Sequence, residues 1–153
     1  REKRGWSYGV FGGLQQSEQR MPWLVQAPVQ ANQTGPSIQG IIDHVRSFTT
    51  DKGVTAPELQ RVVQGNMRQL AGSFETSAQL LNALRSNALL DRPDNYYETV
   101  AGRYRGMTEA MLDAAARNAI DPGQLMFVVV GDAKVVRPQL DALGLPIEEM
   151  TAN

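Results

Sequence analysis

The chain contains no cysteine and one histidine, His44. The first absence excludes disulfides and thiolate metal sites, and leaves the redox compartment open. The second leaves no His-x-x-Glu-His and no other imidazole to join His44. That residue lies between the core positions Ile41, Ile42 and Val45 and reads as a helix-surface side chain. An excess of one charge is also missing: 15 lysines and arginines face 16 aspartates and glutamates, a net charge of −1. With no basic stripe, nucleic acid and an anionic membrane surface are disfavoured as main partners. No apolar run approaches the ~20 residues of a membrane-spanning helix. No signal peptide, internal repeat or low-complexity segment is visible.

What is present suits a packed domain. The 153 residues are 42% hydrophobic and 20% charged, enough for one core of ordinary size. The expectation is a single domain over residues 1–153.

Arg1 to Arg4 read as the last turn of a helix, with cations near its C-terminal end and Gly5 as its stop. Alternation predicts a strand over Trp6–Phe11, with Trp6, Tyr8 and Val10 on one face. Gly12-Gly13 and a polar stretch to Arg20 make a loop. A second strand over Trp23–Gln30 completes an antiparallel hairpin. Ser37 reads as the cap of an amphipathic helix carrying Ile38, Ile41, Ile42, Val45 and Phe48, interrupted at Gly53. Thr55 and Glu58 form a capping box; the helix they open turns Leu59, Val62, Val63 and Leu70 inward and stops near Gly72. Ser73 to Thr76 restart the chain into a helix with Ala78, Leu81, Leu84 and Ala88 as core. Asp94 caps a helix through Tyr96, Tyr97, Val100 and Tyr104. Thr108 caps another, with Met111, Leu112 and Ala115, and Asp121-Pro122-Gly123 is a turn.

The run Leu125–Val130 is continuously apolar and predicts a strand buried on both faces in the middle of a sheet. Gly131-Asp132 leads into a short helix ending near Leu143-Gly144, bent or reopened at Pro138. Ile147 marks a last short strand. Strands at the ends and helices between give the fold class α+β, an antiparallel-rich sheet covered by helices.

The candidate chemistry sits in the first eight residues. Arg1 carries a permanent cation with a fixed fork of hydrogen-bond donors. Tyr8 carries a phenol that donates one hydrogen bond. The two are seven apart, so on one continuous strand they would face opposite ways. A helix end, a reversal at Gly5 and a strand would instead bring both to one cleft. The plainer alternative is a solvated terminal arginine and a half-buried strand tyrosine. Tyr96, Tyr97 and Tyr104 read as packing, and Arg103-Tyr104-Arg105 as a solvated face.

Four stretches carry a resemblance: Arg1-Glu-Lys-Arg-Gly-Trp-Ser-Tyr-Gly-Val-Phe11, Gly72-Ser-Phe-Glu-Thr-Ser77, Leu125-Met-Phe-Val-Val-Val-Gly-Asp132, and Leu140-Asp-Ala-Leu-Gly144. In that order they resemble the insulinase (pitrilysin-like, inverzincin) zinc metallopeptidase family, in its second half or non-zinc subunit. The resemblance implies paired homologous α/β modules around a chamber. One module binds zinc through His-x-x-Glu-His. The other, resembled here, lends an arginine and a tyrosine to the same site.

On that basis Arg1 would hold the substrate backbone and Tyr8 would stabilise the tetrahedral intermediate. No metal would be bound by this chain; zinc, water and general base would come from the partner module. Peptide would be the substrate. The chain also begins inside the first stretch, so the resemblance implies a module truncated at its N-terminus, with the rest of the sheet missing.

Two alternatives remain beside a substrate-binding half. One is a proteolytically inactive structural or scaffold member of the same family. The other is a stand-alone binding domain with an accidental likeness. The substrate is not legible. Frequent Ala, Arg and Gln point to a bacterial source, with the periplasm as the guess for compartment.

Overall fold

The computed structural model describes residues 4–15 and 21–150. The chain divides into two compact units, Arg1–Ser47 with Asp121–Asn153, and Phe48–Ile120. Among the described residues it is helix-rich, with a small antiparallel sheet of two strands. The sheet is thus poorer than the antiparallel-rich one expected.

In the first unit, β1 (Phe11–Leu14) pairs with β2 (Trp23–Gln26), Phe11 opposite Gln26 and Leu14 opposite Trp23. A single bridge, Ser7 to Val29, prolongs the ladder. The expected strand over Trp6–Phe11 is broken, and the register shows why. Four steps from Ser7 to Phe11 face only three from Gln26 to Val29, so the first arm carries one extra residue. That is a β-bulge, and it ends regular pairing where it sits. β2 also stops short of the expected Gln30, since Pro28 has no N–H to give a ladder.

Helix α1 (Thr34–Ser47) begins three residues before the expected cap at Ser37, after a 3₁₀ turn at Ala31–Gln33. The Thr34 hydroxyl donates to the Ala31 carbonyl at 3.0 Å. Pro36 falls in the first turn, where its missing N–H leaves no bond unmade. Ile38 and Val45 are buried, as their spacing predicts.

Gly35 is where α1 meets the chain's last helix. A Cβ there would lie 2.9 Å from both the Cβ and the carbonyl oxygen of Gln139. The Gln139 amide locks this approach, accepting from Gly35 N–H at 3.1 Å and donating to Ala31 O at 2.8 Å. That last helix, labelled α6 below, spans Ala133–Asp141; Asp132 caps it by accepting from Lys134 N–H at 2.9 Å. Pro138 lies inside it, and Gly144, at φ +67°, follows its end.

The run Leu125–Val130 departs from expectation. It pairs with no strand among the described residues. Leu125 and Phe127 are half-buried, whereas Met126, Val128 and Val130 are 88%, 85% and 96% exposed. Burial on both faces needs a layer on each side. Here the run lines a cavity with Ile38, Ile41 and Val136, and nothing described covers Met126, Val128 and Val130. Around Ile147 no strand forms among the described residues.

The second unit opens on a π-helical turn, Phe48–Lys52, closed by Gly53 at φ +60°. The Asp113 carboxylate accepts from Val54 N–H at 2.7 Å, and Arg117 Nε donates to Thr49 O at 3.0 Å. Both anchor residues stand on α5 (Glu109–Ala119), whose Thr108 cap accepts from Met111 N–H at 3.3 Å. Between them run α2 (Ala56–Ala71), α3 (Ser77–Leu89) and α4 (Tyr96–Arg105).

The capping box at Thr55 is present: the Glu58 carboxylate accepts from the Thr55 N–H at 3.0 Å and from its hydroxyl at 2.6 Å. Thr76 and Gln79 make a second box that the sequence reading missed. Three expectations fail in this unit. Val62 is exposed rather than inward. In α3 all four expected core positions, Ala78, Leu81, Leu84 and Ala88, face out, while Ala83 and Asn87 are buried. Periodicity identifies a stripe, and only a neighbour decides which stripe is covered. Asp94 does not cap α4, whose N-cap is Asn95 without a side-chain bond.

Candidate functional site

The hairpin's first arm carries the candidate chemistry. Gly5 is at φ +64°, a conformation that costs a residue with a Cβ about 1–2 kcal/mol. A left-handed residue thus stands where the reversal is expected, and the helix end expected before it, Arg4 aside, lies outside the described residues. The Arg4 guanidinium stacks 4.6 Å above the Trp6 ring, a cation–π contact across the Gly5 turn. Arg1 itself lies outside the described residues, as do Glu2 and Lys3.

Beyond the turn the bulge decides where Tyr8 points. Ser7 Oγ lies 2.8 Å from the Gly9 carbonyl and 2.7 Å from the Pro28 carbonyl, and accepts from Gly9 N–H at 3.1 Å. One side chain thus ties the backbone just after Tyr8 to the opposite arm at Pro28, in the manner of serine in tight turns. Trp6 and Val10 face a groove beneath the hairpin; Tyr8 does not share it and is 95% exposed. The predicted common face of Trp6, Tyr8 and Val10 is thereby corrected. The Tyr8 hydroxyl has no hydrogen-bond partner among the described residues. Sequence reasoning missed Ser7, although Ser-x-Gly beside an aromatic was the available signal.

The groove measures about 1040 Å³ and runs between the hairpin, through Trp6, Val10 and Trp23, and α1, through Ile41 and His44. His44 is exposed, and its Nδ1 sits 2.7 Å from the Gly40 carbonyl one turn back. A carbonyl oxygen can only accept, so Nδ1 is the donor in this contact. Among the described residues no three His, Cys, Asp or Glu side chains come together. A catalytic zinc ordinarily takes three protein ligands, so these residues do not fit one. No described helix is long and apolar enough to cross a membrane.

The fold defines a class: helix-rich, with a two-stranded antiparallel sheet among the described residues, it matches the fold of a peptidase M16 inactive domain. The particular likeness is to the crystal structure of a peptidase M16 inactive domain from Pseudomonas fluorescens. The TM-score is 0.69 at 25% sequence identity, over 80% of this chain. The chain spans 29% of that protein's length. No protein-family model matches the sequence, and neither does any curated protein.

Proposed function

We propose that this chain is part of a zinc-free module of M16 type, proteolytically inactive by itself. It serves as the structural companion of a zinc-bearing homologous module, in the same polypeptide or in a separate subunit. The supporting observation is its likeness to a protein described as a peptidase M16 inactive domain. A sequence with one histidine and no cysteine is in keeping with that. On this reading residues 1–153 belong to one α+β domain, truncated relative to the whole module. The bare apolar run Leu125–Val130 supports a sheet that continues outside them.

The test is peptide cleavage by a zinc-bearing partner module with and without this chain. The structural reading expects cleavage to require the partner, and Tyr8→Phe to leave kcat unchanged.

A second reading has one observation in its favour. Tyr8 is 95% exposed on a bulge braced by Ser7, whereas a tyrosine kept for packing would be covered. On this reading the phenol donates to the oxyanion that develops during peptide hydrolysis, and Arg1 holds the substrate backbone. One such donor is worth about 3–4 kcal/mol. Tyr8→Phe in the assembled enzyme would then lower kcat by roughly 100- to 1,000-fold with little change in KM.

A further inference from the structure

In the second unit two guanidinium groups meet over one ring. Arg92 lies 4.3 Å from the Tyr96 centroid and Arg103 lies 5.7 Å from it, both within reach of a cation–π attraction. Local structure delivers each of them. Asp91, at φ +48°, follows the end of α3 and turns the chain so that Arg92 N–H donates to the Asn87 carbonyl at 2.9 Å. Arg92 is left half-buried just ahead of α4. Tyr96 and Arg103 both stand on α4, about two turns apart, and so share a face. A helical side chain leans toward the N-terminus, which carries the Arg103 guanidinium back toward the ring.

The ring holds both cations but leaves their donors unmet. Neither guanidinium makes a hydrogen bond or an ion pair among the described residues, although Asp91, Asp94 and Glu98 lie in the same stretch. Two like charges are thus brought together with no carboxylate between them, their centres no farther apart than the two ring distances laid end to end. An oxyanion beside the ring would relieve their repulsion and accept from both forks. A carboxylate presents one edge that matches one fork. A tetrahedral phosphate presents several, enough for two. Next to the pair, Tyr97 stands edge-on to Tyr96 at 5.1 Å, and Phe74 edge-on to Tyr97 at 5.0 Å. Phe74 is 40% exposed, so this row of rings is an apolar ledge beside the cations.

We propose that Arg92 and Arg103 form a binding site for a phosphate group, carried by inorganic phosphate or by a small aromatic phosphomonoester. Each guanidinium supplies one fork, and the Tyr96 ring holds both in place before the anion arrives. Such pre-organisation lowers the entropy lost on binding. The site uses no residue of the hairpin and does not rest on the zinc-free role.

The test is isothermal titration calorimetry of the polypeptide as its cell makes it, with inorganic phosphate and with phenyl phosphate, at an ionic strength held constant by chloride. Saturable binding should weaken roughly ten-fold or more in Arg92→Gln and in Arg103→Gln. Arg103 is exposed, so its replacement leaves the fold intact. Arg92→Lys keeps the charge, loses the fork and should also weaken binding, whereas Arg105→Gln should not. Equal affinity for the two anions assigns free phosphate; tighter binding of phenyl phosphate assigns the ester and the ledge of rings. Absence of saturable binding overturns the inference. So does binding that survives the double change Arg92→Gln and Arg103→Gln, or that weakens as much in Arg105→Gln.

Discussion

Ser7 and Gly9 are joined twice: the Ser7 hydroxyl lies 2.8 Å from the Gly9 carbonyl and accepts the Gly9 N–H at 3.1 Å. The residue between them, Tyr8, is thereby held at the crest of a bulge and away from the groove that Trp6 and Val10 line. Bulges re-aim side chains beside functional sites as well as ending strand pairing. Ser7→Ala removes the hydroxyl proton that the Gly9 and Pro28 carbonyls share, and leaves the Gly9 N–H without its acceptor. The expected cost is about 1–2 kcal/mol, read as a lower urea midpoint at unchanged slope. An unchanged midpoint would mean that the bulge is set by the glycine alone.

Gly53 and Gly65 should respond oppositely to alanine. At Gly53, φ is +60° and a Cβ would sit 2.5 Å from an Asp113 carboxylate oxygen. Gly53→Ala should destabilise by at least about 2 kcal/mol, from the left-handed backbone and the displaced carboxylate together. At Gly65, inside α2, a Cβ would meet nothing within 4 Å, and Gly65→Ala should stabilise by about 0.5–1 kcal/mol. Chemical denaturation of the two variants beside the parent checks both signs.

Much of the local structure was legible because it depends on neighbours in sequence. The Thr55–Glu58 box, the Thr108 cap and the stop at Gly53 follow from side chains within a few residues of the backbone they serve. Long-range features were not. Leu81 and Leu84 look like core by spacing, yet face out because nothing described lies against them. Leu125–Val130 looks like a central strand, yet leaves Met126, Val128 and Val130 exposed, because burial belongs to the neighbours and not to the run itself. At the site, Tyr8 was legible as a candidate through resemblance. Its exposure was not, because one extra residue between Ser7 and Phe11 reverses the side that alternation assigns.

Glu58 supplies a pH prediction. Its carboxyl titrates below its ordinary value, because the Thr55 hydroxyl and then the Thr55 N–H donate to the charged form. A carboxyl depressed in the folded state adds stability that is fully present above its unfolded pKa. That stability is lost as pH falls through the folded pKa. Thr55→Ala should raise the Glu58 midpoint toward 4.5 in a carboxyl-detected NMR titration. It should also narrow the stability difference between neutral pH and pH below the depressed midpoint. A midpoint that stays put would show that the hydroxyl bond is not made in solution.

On the proposed reading, Val128 tells the 153 residues alone from a larger module. With its side chain 85% exposed, Val128→Lys should change the stability of the 153-residue chain by no more than about 0.5 kcal/mol. In the complete polypeptide, a layer covering the outer face of Leu125–Val130 would make the same change costly. Equal effects in both would show that this face stays open to water.

The central claim is that this chain cannot hydrolyse peptides without a zinc-bearing partner. The direct measurement is cleavage of a fluorogenic peptide library with zinc in excess, by the chain alone, by the partner module alone, and by both together. The account predicts no zinc-dependent cleavage by the chain alone, and cleavage whenever partner and chain are combined. Zinc-dependent turnover by the chain alone, abolished by a chelator and restored by zinc, would contradict it.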